Sequence, residues 1–406
     1  ASSQSNACRW HFLARLCSTW KACAFFCRYA PALMEPTNQR LTSLDAFRGF
    51  IMLLMASGGF GIPQMAAAHP GTIWEQLAPS FSHREWAGCG LWDLIQPSFM
   101  FMVGLAVPWS YAKRRANGQG FFGMSWHALT RSILLILLAV ILTTRMKDTQ
   151  TTFLFTNVLA QIGLGYFFLF IIWRMGRDYE VAAIIVILVG YWFYFYNFPL
   201  PGPGTDFAAI GANQSDLLTG YFGHWSKNMN AASDFDRWFL NLLPRAEPWL
   251  SNPGGYQTLN FIPSLATMLA GSLTGRFLRT SRRTPEGKVG VLVIAAVICL
   301  ILGNIAHLTA CPVVKRIWTP SWALYSTGWV LIMLAAFYLI VEVWNFRRLV
   351  FPLVVVGMNS IFIYLLHSLS APWIRSMVKI HSGPSCPIFS QDSYWLPVAE
   401  SCGVLL

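Results

Sequence analysis

The residues able to do chemistry in this chain stand in four places. In FSHREWAGCGLWDLIQP, His83 and Asp93 are ten residues apart, with Trp86, Gly88 and Pro97 around them. A histidine takes a proton from an attacking hydroxyl or amine near neutral pH, and a buried aspartate can orient the ring and stabilise its charged form. A loop histidine beside a helix-capping aspartate is the competing structural explanation. In RLTSLDAFRGF, Asp45 and Arg48 are three residues apart, which puts them on one helix face where they can pair; the plainer explanation is an ion pair anchoring a helix end at the membrane interface. Gly49 next to Arg48 allows close approach of a neighbouring helix or a ligand. In GMNSIFIYLLHSL, Asn359 and His367 are eight residues apart and fall on about the same helix face, with plain helix packing as the rival role for Asn359. In KRIWTPS, Lys315 and Arg316 adjoin Trp318 and Pro320, where aromatic residues serve as interface anchors. Gln161, Asn304 and His307 are single polar residues of the kind that satisfy a neighbouring helix.

The elements that must position these residues are membrane spans. Of 406 residues, 55% are hydrophobic and 11% charged, against about 25% charged in a soluble domain. Mean hydropathy is +0.48. These values exclude a soluble enzyme, a disulfide scaffold, a disordered tail and a nucleic-acid reader. The net charge of +12 is carried in short clusters between apolar runs, where it reads as a topology signal. The fold expected is an all-α transmembrane bundle of about ten spans in a lipid bilayer, nine of them near 46–66, 89–111, 129–145, 152–173, 180–198, 257–278, 288–309, 321–344 and 351–370. SYWLPVAESCGVLL reads as the opening of a tenth span cut short.

Lys and Arg in short loops stay cytoplasmic. Lys113 to Arg115, Arg174 with Arg177, the run from Arg276 to Lys288, and Arg347 with Arg348 all fall on one side of that alternation. The N-terminus is then cytoplasmic, and the 67–88 loop, the 199–256 loop and the 371–395 segment lie outside. His83 is on the outer side, with Asp93 one to two turns inside the second span. Arg145 with Lys147, and Lys315 with Arg316, sit on the wrong side and are candidates for another task. Residues 1–33 lack helical periodicity and read as a non-native or disordered leader, with the membrane domain over 34–406 and 199–256 as an external loop or lid. No inverted internal repeat marks a transporter.

No P-loop, GxGxxG or HExxH occurs, and the nine cysteines form no metal signature, so no metal is expected. Cys23 and Cys27 belong to the leader; Cys311 and Cys386 both fall outside, where a disulfide is open to them but not required.

RLTSLDAFRGF, HREWAGCGLWDLIQPSFMFMVG, KRIWTPS and GMNSIFIYLLH resemble, in order and roughly in spacing, the membrane-bound heparan-alpha-glucosaminide N-acetyltransferase family and its bacterial homologues. The resemblance covers about residues 40–406, and H-x-x-W-x-G-x-x-x-x-D-L-x-x-P is its most specific part. It implies a multi-span acyltransferase that takes an acetyl group from cytosolic acetyl-CoA and passes it to a sugar on the far side of the membrane. It implies that His83 matches the catalytic histidine, as acetyl acceptor or as general base. The donor phosphates would meet cytoplasmic cations, Arg48 first, then Arg114 and Arg276. Three departures stand out: many relatives carry an arginine in place of Gln161, the loop before His83 is longer than in the animal enzyme, and an asparagine usual in the loop here reading ASGGFGIPQ is not located. Heparan glucosamine is therefore not carried over as the substrate.

The reading that follows has His83 and Asp93 as catalytic residues, and Asp45, Arg48, Trp86, Lys315, Asn359 and His367 binding substrate or CoA. Its partners are acetyl-CoA, a saccharide amine or hydroxyl, and the bilayer, with no nucleic acid. A homo-oligomer stays open, and a bacterial inner membrane is the setting. The rival is a transporter or flippase for a glycan or lipid intermediate, whose passage the same polar groups would line.

Overall fold

A computed structural model describes residues 41–144, 150–382 and 394–402. Among the described residues every regular element is a helix, apart from one isolated bridge between Ala87 and Val314. The polytopic all-α bundle expected from composition is what forms. In chain order the helices are α1 (Thr42–Ala56), α2 (Ile62–Ala68), α3 (Ile73–Leu77), α4 (Ile95–Ala116), α5 (Phe121–Thr143), α6 (Val158–Met175) and α7 (Arg177–Tyr196). They continue as α8 (Ala231–Asn241), α9 (Phe261–Thr280), α10 (Pro285–Thr309), α11 (Pro320–Tyr338), α12 (Phe351–Met358), α13 (Ser360–Ser382) and α14 (Leu396–Cys402). Among the described residues six segments are long and apolar enough to cross a membrane: α5, α6, α7, α10, Pro320–Val343 and Ser360–Val378. The chain is an integral membrane protein.

Backbone contact sets the architecture. α4 and α9 cross where the Gly104 Cα faces the Met268 carbonyl and the Gly271 Cα faces the Phe101 carbonyl, positions with no room for a Cβ. α1 and α12 meet in the same way, Gly49 on Leu353 and Gly357 on Asp45. With lipid as apolar as the side chains, such close approach supplies the packing energy that hydrophobic exclusion supplies in water. Around α4, α6 and α9 lies a core that includes Phe101, Leu105, Tyr166, Met268, Trp318 and Trp322, all buried. The outer helices turn large apolar side chains outward, among them Leu134 and Ile141 on α5, Ile294 and Ile301 on α10, and Phe362 and Leu369 on α13, as a lipid-facing surface requires.

Several predicted boundaries move. The span placed at 46–66 ends at Ala56, because Gly58, Gly59, Phe60 and Gly61 all take positive φ and turn the chain into α2. At 15 residues α1 is about 22 Å long, short of the ~30 Å core. The span placed at 89–111 begins at Ile95, so Asp93 lies in a one-turn 3-10 helix, Trp92–Leu94, ahead of α4 and not inside it. The span placed at 351–370 breaks at Asn359, whose φ of −110° and ψ of 23° separate α12 from α13. α13 then runs on through Ser382, across part of the segment assigned to an external loop. α5 starts eight residues before the predicted 129. Arg145, Lys147, Cys386 and the 1–33 leader lie outside the described residues.

The loop residues stand together at one end of the helix order: the start of α4, the end of α7, the start of α9 and the turn between α10 and α11. The basic clusters Lys113–Arg115, Arg174 with Arg177, Arg276–Lys288 and Arg347–Arg348 stand at the opposite helix ends.

Candidate active site

Two loops build the site. Residues 83–91 lead into the Trp92–Leu94 turn, with Gly88 at φ 114°, a conformation open to glycine. Residues 310–319 join α10 to α11 as a tight loop in which Thr319 Oγ1 accepts from Val314 N and donates to Pro312 O, while Ser321 Oγ donates to Pro312 O. The loops meet through the Ala87–Val314 bridge and through Gly88 N, which donates to Val313 O at 2.8 Å. That pairing brings Lys315 to His83 and Asp93, 232 and 222 residues away along the chain.

Asp93 is the hub. Its Oδ1 lies 2.9 Å from His83 Nδ1 and 3.2 Å from Lys315 Nζ. Its Oδ2 accepts from the backbone N–H of Arg84 at 3.3 Å and of Gly90 at 3.2 Å. Side-chain exposure is 3% for Asp93, 7% for Lys315 and 46% for His83, so the carboxylate and ammonium are sealed in while the imidazole faces outward. Burial opposes the charge on Asp93, yet the His83 hydrogen bond and the Lys315 ammonium hold its carboxyl below the usual range. Burial pushes the Lys315 amine below the usual lysine range, against the pull of Asp93. Cys89 is no rival nucleophile: burial first, then the Asp93 charge, pushes its thiol up to about 12.

The donors fix the histidine tautomer. Trp92 Nε1–H is a donor only and points at His83 Nε2 at 3.2 Å, so Nε2 is the acceptor and Nδ1 carries the proton. Nδ1–H then donates to Asp93, and the 3.3 Å approach of Lys315 Nζ to Nδ1 sets two donors side by side, both served by Asp93 Oδ1. The result is an imidazole oriented by a carboxylate, with its basic lone pair on Nε2 facing the Trp92 N–H.

Beside this centre opens a polar hollow of about 390 Å³ lined by Glu85, Trp86, Ser215, Asp216, Leu218, Lys227 and Arg316. Trp86 is fixed there by Nε1–H to Trp225 O at 3.0 Å, with its ring against Gly255. Arg316 donates to Gly254 O at 2.7 Å and Arg84 O at 3.1 Å and covers the Tyr256 ring. The 199–256 segment thus packs directly on the histidine loop.

A second cavity, about 480 Å³, lies along α4 from Phe99 to Ser110, toward the basic end of that helix. Its wall is apolar apart from Arg48, Ser110, Arg131, Tyr166, Asn359, Ser360 and Tyr364. Arg48 Nη1 pairs with buried Asp45 at 3.2 Å, and the Arg131 guanidinium sits 4.7 Å from the Tyr166 ring centre. Phe99 follows Asp93 by six residues, roughly 9 Å of helix rise. Between them Gln96 Nε2 donates to Gln161 Oε1 at 2.7 Å, both buried.

The eight residues singled out in sequence therefore divide. His83, Asp93 and Lys315 come together, with Trp86 on the adjoining hollow. Arg48, held by Asp45, and Asn359 border the inner cavity. His367 is half-buried on α13, is not among the residues lining that cavity, and does not bond to the His83 centre; its Nδ1 has no hydrogen-bond partner among the described residues. Asn359 stands at the break between α12 and α13 and lines the inner cavity, which His367 does not. Arg276 is committed to Glu180 at 2.9 Å and to the Trp173 carbonyl, and Arg114 to His127 at 2.8 Å. Asn304 bonds its own helix at Leu300 O, and His307 accepts from Val313 N just beyond its own helix. Gln161 satisfies a neighbouring helix as expected, through Gln96 on α4; unforeseen were Trp92, Arg131, Glu180 and Gln96 as its partner. The available signals were a tryptophan abutting Asp93, a lone arginine within an apolar span, and glutamines at helical spacing from the site.

No family profile matches the chain. Heparan-alpha-glucosaminide N-acetyltransferase from Mus musculus is 28% identical over 114 residues, 28% of this chain and 15% of that protein. The Homo sapiens protein of the same name is 30% identical over 103 residues, 25% of this chain and 14% of that protein. These matches support a distant relationship to a membrane N-acetyltransferase.

Proposed function

We propose that the protein is a transmembrane acyltransferase that moves an acetyl group from cytosolic acetyl-CoA to a saccharide amine or hydroxyl on the outer side of the membrane. The observation that carries this reading is the His83 imidazole, 46% exposed and backed by buried Asp93 and Lys315, at the helix end opposite the basic clusters. With the basic ends cytoplasmic and the N-terminus with them, acceptor and donor arrive from opposite sides. A bacterial inner membrane is the setting proposed.

Acetyl-CoA supplies an activated thioester. Its phosphates would meet Arg48 and Arg131 at the inner cavity, where planar guanidinium groups suit phosphate, and its pantetheine arm would lie along the apolar wall of α4. The acceptor would rest in the outer hollow against Trp86 and the charges of Glu85, Asp216 and Arg316. The lone pair on His83 Nε2 takes the proton from the amine or hydroxyl as that group attacks the thioester carbonyl, the C–S bond breaks and the proton leaves with the CoA thiol; alternatively Nε2 attacks the carbonyl first, releasing CoA as its thiolate, and the acetyl group then passes from Nε2 to the acceptor, whose proton goes to the thiolate. In either order Asp93 holds Nδ1–H and balances the charge that develops on the ring. Lys315 keeps that carboxylate ionised while sealed from water. No metal is called for in this chemistry.

The test is incubation of purified membranes with labelled acetyl-CoA and a panel of amino sugars and hydroxyl-bearing glycans. Transfer to at least one acceptor is expected, with loss on His83→Ala of ~10²–10⁴ in rate while the protein stays folded. Full activity in that variant, or neither label transfer nor CoA release in wild type, would overturn the proposal, and the second result would favour the transporter.

A further inference from the structure

The atom on which the proposed transfer turns is not open to an acceptor. Trp92 Nε1–H occupies His83 Nε2 at 3.2 Å, with the two rings edge to face and their centres 6.0 Å apart. We infer that Trp92 is a positioning residue that caps the His83 base, and that an amine or hydroxyl able to donate to Nε2 opens the site by displacing the indole. The identity of that donor rests on the acyltransferase reading; the cap itself does not.

Three observations carry the inference. Nδ1 is committed to Asp93, so the indole closes the one remaining lone pair of the ring. His83 and Trp92 are both partly exposed, whereas Asp93 and Lys315 behind them are sealed, so exchange at Nε2 takes place on the open side without disturbing the buried pair. Trp92 also differs from its neighbour Trp86, whose N–H is spent on the Trp225 carbonyl and whose ring is wedged on Gly255. Trp92 instead stands on the single 3-10 turn Trp92–Leu94 and spends its N–H on the reactive side chain.

The cap discriminates against water. Before water can add to the thioester, breaking its C–S bond to give acetate and the CoA thiol with the proton relayed through Nε2, it must first remove the indole. A bond at this exposure is worth about 1 kcal/mol, about fivefold in occupancy. A saccharide with further contacts in the outer hollow outweighs that readily; a lone water has none. Trp92 therefore spares the donor while no acceptor is bound.

The experiment compares full-length wild type with Trp92→Phe and Trp92→Leu in detergent. Diethyl pyrocarbonate is the probe, since it modifies the unprotonated imidazole nitrogen, and carbethoxylation of His83 is followed by peptide mass spectrometry. His224, whose Nδ1 is held by the Phe198 carbonyl, serves as the internal standard for an intact fold. Both variants are expected to modify His83 about fivefold faster at an unchanged His224 rate. Their acceptor-free hydrolysis of acetyl-CoA should rise by a similar factor, and the acceptor KM should fall with kcat little changed. Equal His83 rates in all three proteins overturn the cap. Faster modification in the variants, with no acetyl-CoA turnover in any of the three proteins, leaves the cap standing and refutes the acyltransferase reading.

Discussion

Replacing Asp93 by asparagine tests the site at its narrowest point. The wild-type carboxylate receives four hydrogens, from His83 Nδ1, Lys315 Nζ, Arg84 N and Gly90 N, at 2.9, 3.2, 3.3 and 3.2 Å. An amide of the same shape has one oxygen to offer. If that oxygen keeps the two backbone N–H groups, its NH₂ faces both the imidazole and the ammonium. The imidazole must then accept at Nδ1 and carry its proton on Nε2, which faces the Trp92 N–H donor to donor. A reversed tautomer costs up to ~10⁴ in rate where an oriented histidine is the base, so a loss of ~10²–10⁴ in acetyl transfer is expected. Lys315 loses its counter-charge in the same stroke. Removing one partner of a buried pair costs about 3–5 kcal/mol, which should appear as a lowered unfolding midpoint in detergent. Adding Lys315→Met removes the stranded cation and should restore at least about half of that stability without restoring activity. The reasoning is refuted if Asp93→Asn keeps more than a tenth of the wild-type rate, or if the double variant is no more stable than the single one.

Other expectations are reached as directly. Arg48→Ala should raise the KM for acetyl-CoA about tenfold or more at unchanged acceptor KM, because a charge-assisted bond to phosphate is worth about 1.5–3 kcal/mol; an unchanged donor KM would remove Arg48 from the donor path. Burial raises the Asp236 carboxyl on α8 from 3.8 to about 6, so its contribution to stability is complete below pH 3.8 and is lost as pH rises through about 6. Asp236→Asn should abolish that loss, and the stability difference between variant and wild type should grow by up to about 3 kcal/mol between pH 4 and 8, at about 1.4 kcal/mol per pH unit; parallel melting curves across that range would exclude it. Gly271→Leu drives a side chain into the Phe101 carbonyl and should abolish accumulation of folded protein, measured by size-exclusion of detergent extracts, whereas Gly290→Leu, where nothing stands within 4 Å, should be tolerated.

How far the sequence could be read differs from one residue to the next. Long uninterrupted apolar runs such as α10 and α11 declare themselves, since nothing but lipid suits them. α1 does not: ASGGFG is apolar enough to extend a span on paper, but consecutive positive-φ residues turn the backbone, and hydropathy is blind to φ. Asn359 was visible as a polar residue and invisible as a break. The His83–Asp93 relation could be guessed because only ten residues separate them. The arrival of Lys315 could not, since a bridge of one residue pair, Ala87 with Val314, aligns loops more than 200 residues apart. The apparent misplacement of Lys315 and Arg316 among the topology charges was the one trace of it in the linear chain. Trp92 carries no signal of its own in the linear chain beyond standing next to Asp93, and only the distance to Nε2 gives it a role.

That bridge also orders events during synthesis. His83 and Asp93 leave the ribosome early, but Lys315 and the loop that carries it follow only after α10 has been made. Until then the carboxylate lacks its buried counter-charge and the histidine loop lacks the bridge to Val314. A nascent chain halted before this loop therefore holds its histidine without the buried ion pair behind it. On the proposed acyltransferase reading, competence is conferred late, once most of the bundle is inserted, and partially made copies in the membrane are expected to be inactive.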